Sequence, residues 1–130
     1  MRAFLLAPLL ALAAPAAAAP LTMHVGETWI FAIRGGQPAA ARKVTMETNP
    51  AKGQVRASVS ALGGTTMTLT NATGVAYKFR AELIGSDGKA ATSRSCTLPA
   101  GNRQAFESWR QRAVAVRIGA FKRTDDPGKC

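Results

Sequence analysis

Six turn signals punctuate this chain: Gly35-Gly36, residues 49–53, Gly63-Gly64, residues 71–74, Asp87-Gly88 and residues 99–102. They recur roughly every 10 to 15 residues, which leaves little room for helices and suits a stack of short antiparallel strands. The segments between them alternate as half-buried strands do. Val55, Ala57, Val59 and Ala61 oppose Arg56, Ser58 and Ser60, and Met67 and Leu69 oppose Thr66, Thr68 and Thr70. Tyr77, Phe79, Ala81 and Leu83 oppose Lys78, Arg80 and Glu82, while Trp29, Phe31 and Ile33 share a face near the start and Val114, Val116 and Ile118 near the end. Asp87-Gly88 predicts a tight type I′ hairpin into residues 89–97. The expectation is an all-β, single antiparallel sandwich of about seven strands. Residues 102–111 break the pattern: Phe106 and Trp109 are three apart and Asn102 could cap a helix, so either a short helical turn or an irregular connection is expected there.

The first 18 residues have the three parts of an export signal: Met1-Arg2, an uncharged Ala- and Leu-rich stretch, and the small-residue ending Ala16-Ala17-Ala18. The reading is a signal peptide over 1–18, a β-sandwich domain over 19–130, and a periplasmic or secreted location. Alanine content and Pro8, Pro15 and Pro20 make the stretch a poor membrane anchor, so no transmembrane segment is expected in the mature chain. In an oxidising compartment the two cysteines, Cys96 and Cys130, read as one disulfide. Closing that loop would stabilise the fold by about 3 to 4 kcal/mol.

The run from Met67 to Gly74, followed by Tyr77-Lys78-Phe79-Arg80-Ala81 and Gly88-Lys89, resembles the middle of a bacterial immunoglobulin-like extracytoplasmic domain. There, a strand ends at an Asn-containing turn and the next strand leads to a Gly-Lys hairpin. The resemblance covers about a quarter of the chain and implies a sandwich architecture. It transfers no functional residue, because fold alone does not specify function. Trp109 does lie between Cys96 and Cys130, but Cys130 ends the chain beyond a polar tail, unlike the inter-sheet cysteine of antibody-type domains.

Catalytic chemistry finds little material. His24 is the single histidine, and the acids Glu27, Glu47, Glu82 and Glu107 show no pairing in their spacing. Met23-His24 with Met46 and Met67 could be imagined as soft copper ligands, but methionine is a common core filler, and the reading is no metal and no cofactor. Charge is the stronger signal: without Arg2, the 17 basic residues become 16 against 7 acidic ones. Such an excess attracts anionic surfaces. Arg103, Arg110, Arg112 and Arg117 are the candidate binding residues. Strand parity places Arg110, Arg112 and Lys122 on one face and Arg117 and Arg123 on the other. Nucleic acid is disfavoured, since the aromatics mostly lie on apolar faces rather than among the cations. The expected role is a non-catalytic binding or accessory module for an anionic envelope component or acidic protein. The alternative is a small exported inhibitor of an envelope hydrolase, acting through the loop at residues 99–103.

Overall fold

Alternation along the chain becomes burial in space. The computed structural model describes residues 18–126, among which there is no helix. Nine strands form: β1 (Leu21–His24), β2 (Thr28–Arg34), β3 (Gln37–Val44), β4 (Val55–Ser60), β5 (Thr65–Asn71), β6 (Tyr77–Ile84), β7 (Ala90–Ser93), β8 (Gln104–Trp109) and β9 (Ala115–Arg123). They make two antiparallel sheets, ordered β1-β9-β6-β7 and β3-β2-β4-β5-β8. The protein is an all-β sandwich. The expected signal peptide and Cys130 lie outside the described residues, apart from Ala18. Within those residues there is no free cysteine, and no helix is long and apolar enough to cross a membrane.

The inward side chains of the two sheets interdigitate. Phe31, Val55, Ala57, Val59, Met67 and Leu69 come from one, and Met23, Phe79, Ala81, Leu83, Val116, Ile118 and Phe121 from the other. Phe121 is the aromatic hub, stacked on Phe79 at 5.4 Å between centroids and edge-on to Tyr77 at 6.0 Å. It also meets Phe31 of the opposite sheet at 5.9 Å, and such offset and tilted pairs add to the area they bury. Asn71, fully buried, staples its own turn: its amide donates to the Val75 carbonyl at 2.7 Å and its oxygen accepts from Thr73 N–H at 2.9 Å. A buried amide is tolerated when its polar atoms are satisfied in this way.

Two details correct the sequence reading. Residues 102–111 form neither a helical turn nor an irregular link, because β8 pairs with β5 from Thr65↔Trp109 to Thr70↔Gln104. Asn102 does not cap a helix; it is left-handed (φ 61°) and donates its N–H to the Asn71 carbonyl. Phe106 therefore points outward and Trp109 inward, where its indole N–H reaches the Arg94 carbonyl at 3.1 Å. The β6–β7 connection is likewise not a two-residue turn. Gly88, left-handed at φ 80°, donates to the Gly85 carbonyl, and the strand that follows is only Ala90–Ser93.

Candidate functional site

One extra residue in β9 determines what faces outward from the four-stranded sheet. β6 and β9 pair in register from Ile84↔Ala115 to Arg80↔Gly119, then slip so that Lys78 meets Lys122. The slip is a bulge around Ala120, which takes a left-handed φ of 52°. With it, Ile118 and Phe121 both point into the core although they are three apart. The turn between β2 and β3 supports the bulge from the other sheet: Phe121 N–H donates to the Gly36 carbonyl at 2.7 Å. The Gln37 carboxamide lies across β9, where a Cβ on residue 119 would stand 2.5 Å from its oxygen. Glycine at 119 permits that crossing.

The outer face so formed carries Lys78, Arg80, Arg117 and Lys122, with Glu82 the one acid among these strand positions. Glu82 sits directly opposite Arg117 and accepts a two-pronged contact, Nη2 to Oε2 at 2.9 Å and Nε to Oε1 at 3.4 Å. The Arg117 hydrogen bond holds the Glu82 carboxyl below its ordinary value, and the guanidinium is shifted upward in return. Arg80 donates to the Thr92 hydroxyl at 3.0 Å and lies over Gly119. Arg80 and Arg117 line a small cleft with Pro20, Gln37 and Ala120. Lys78 and Lys122 are exposed and directly opposed. Like charges so placed in a sheet repel one another, and no packing requirement calls for them.

The four arginines expected to bind do not share one surface. Arg103 immediately precedes β8 and Arg110 and Arg112 follow it, so the six-residue strand separates them by about 20 Å. All three are exposed. Arg117 alone of the four belongs to the basic face. Lys78 and Arg80 were legible from the alternation of β6. Lys122 was assigned to the face opposite Arg117, and the bulge moves it to the same one.

Two buried or half-buried acids lie away from this face. Glu27, in the β1–β2 turn, accepts from His24 N–H at 2.7 Å, Lys43 Nζ at 3.2 Å and the Trp29 indole at 3.3 Å. These contacts, the His24 N–H foremost, bring its carboxyl from 4.5 down to about 2. Glu107 points inward from β8 and accepts from Cys96 N–H, and burial raises its carboxyl above the usual range. Exposed His24 stands 3.4 Å from Glu27, an arrangement that joins a turn. Met23 and Met67 are fully buried, whereas Met46 is exposed on the β3–β4 loop, so the imagined soft ligands are not gathered. No protein-family model, curated protein or solved structure matches this chain significantly.

Proposed function

We propose that the protein is an exported, non-catalytic binding module that meets an anionic envelope component through the outer face of its four-stranded sheet. The carrying observation is the concentration of Lys78, Arg80, Arg117 and Lys122 on that face against the single, already paired Glu82. The opposed lysines relieve their repulsion when a polyanion lies between them, which is the complementarity that favours docking. Arg103, Arg110 and Arg112, distributed around β8, contribute long-range attraction. In this reading the leader over 1–18 delivers the chain and a Cys96–Cys130 bond braces its end.

Cosedimentation of the purified protein with isolated envelope fragments tests the proposal at about 50 and about 500 mM salt, on either side of strong Debye screening. Binding is expected at low salt, lost at high salt, and lost in Lys78→Glu/Lys122→Glu. Reversing Arg103, Arg110 and Arg112 together has the smaller effect. Retention that ignores salt, or that survives the double lysine reversal, rejects the proposal.

A further inference from the structure

The opposite side of the sandwich has a different chemistry. Strand register lays the outward residues of the five-stranded sheet in rows, one running Thr28, Ser58, Thr68, Phe106 and the next Ser60, Thr66, Ser108. Adjacent members of a row stand about 4.8 Å apart, one strand spacing, close to the length of a sugar unit in an extended chain. A groove of about 470 Å³ crosses these rows, with Met46 and Leu62 at its sides and Gln104 at its edge, within the range of small-ligand sites. Met46, Leu62 and Phe106 are 72, 74 and 64 % exposed, three large apolar groups around an otherwise hydroxyl-rich surface.

The charged groups lining this groove are already engaged. Arg56 donates to the Met46 and Thr48 carbonyls and to the Thr70 hydroxyl, and so pins the β3–β4 loop. Glu27 is held by His24, Trp29 and Lys43. By contrast, the Ser60 and Thr68 hydroxyls and the Gln104 carboxamide make no hydrogen bond among the described residues. The groove thus presents uncharged groups that both donate and accept, beside an exposed ring with Thr68 directly across from it.

We infer that this groove binds a neutral oligosaccharide, whose hydroxyls meet Ser60, Thr68 and Gln104 and whose apolar ring face rests on Phe106. The one cation lining the groove, Arg56, holds the β3–β4 loop, and Glu27 lines the groove with it, so the site offers a polyanion no net positive charge. A peptide strand would add along the free edge of β8, whereas the groove lies over the face of β4 and β5, interior strands whose backbone groups serve the ladder. The inference is independent of the basic face, which lies on the other sheet.

Calorimetric titration of the full chain with soluble neutral oligosaccharides of glucose, mannose and N-acetylglucosamine, in high salt, tests it. At least one is expected to bind with a Kd below about 1 mM. Phe106→Ala, which removes an exposed ring and leaves the melting temperature unchanged, weakens that binding about tenfold or more. Thr68→Val weakens it too, while Lys78→Glu/Lys122→Glu leaves it within about twofold. Absence of binding by every sugar, undiminished binding in Phe106→Ala, or capture of an extended peptide in place of sugars overturns the inference. Because the lysine reversal abolishes only the envelope attachment, failure of one site is distinguishable from failure of the other.

Discussion

Replacing Glu27 by Gln removes one negative charge and keeps the shape of the side chain. In the native protein that carboxylate ties together the β1–β2 turn: it takes the His24 N–H at 2.7 Å, the Trp29 indole at 3.3 Å and Lys43 of β3 at 3.2 Å. A carboxyl lowered from 4.5 to about 2 corresponds to about 3 kcal/mol of preference for the ionised form. The side chain keeps 21 % exposure and Lys43 is 61 % exposed, so solvent screening reduces the usable part to about 1.5 to 2 kcal/mol. Glutamine can still accept from His24 N–H but offers Lys43 no charge. The expected loss at pH 7 is therefore about 1.5 kcal/mol, or a fall of about 6 °C in Tm. Since the folded value lies below the unfolded one, the contribution is complete above pH 4.5 and disappears as pH falls toward 2. Urea unfolding of both proteins, followed by tryptophan fluorescence across that window, measures the gap between them at each pH. Comparing the gap rather than either curve cancels the titration of Glu107, which shares no hydrogen-bond partner with Glu27. Equal stability at pH 7, or a gap that persists undiminished at pH 2, would refute the reasoning.

Glu107→Gln is expected to act in the opposite sense. Its carboxyl is raised by burial, so the native protein gains from protonation and loses stability as pH rises from 4.5 through the folded value. The variant, still accepting from Cys96 N–H, should be more stable at pH 7 by about 1 kcal/mol, with the difference closing in acid; a pH-independent difference in urea midpoints would count against this. Ala120→Gly relieves a left-handed alanine (φ 52°) and should raise stability by about 0.5 to 1 kcal/mol, and a lower Tm would mean that the methyl group packs. Gly64→Ala should cost more than about 3 kcal/mol or abolish folding, because its Cβ would stand 2.2 Å from the Trp109 carbonyl at a φ of +126°; near-native melting would contradict the close approach of the β4–β5 turn to β8.

Much of the architecture could be read directly from alternation. In β4, β5 and β6 the inward residues are buried, from Val55 to Leu83, whereas Ala61 and Val114, read as continuing the apolar faces of β4 and β9, lie just outside those strands and are exposed. What escaped was irregular or short. β1 has only four residues and β3 carries Ala40 and Ala41 at a bulge, so neither shows a sustained period. β8 was obscured because Phe106 and Trp109 sit on opposite faces and an acid, Glu107, takes an inward position. Excess positive charge was evident from composition, but its placement was not. Arg103, Arg110 and Arg112 are neighbours in sequence separated by the length of a strand, while Lys78 and Lys122 are distant in sequence and adjacent in space. Sequence distance cannot reveal that pairing, which depends on strand order. The groove on the five-stranded sheet was hidden for a related reason: its hydroxyls look like the ordinary solvent face of three separate strands until register aligns them.

Ala120 has a consequence for how such surfaces arise. Because side chains in a strand have only two possible orientations, inserting a single uncharged residue inverts every orientation beyond it, as a frame shift rewrites a message without altering its letters. Lys122 takes the place of Arg123 on the outer face and Phe121 turns into the core in this way, so the residues of a face change while its charge stays constant. Loss of one residue at the end of β9 would therefore leave the charge of that face as it is and expel Phe121 from its contacts with Phe31, Tyr77 and Phe79, so the bulge is kept by packing rather than by charge.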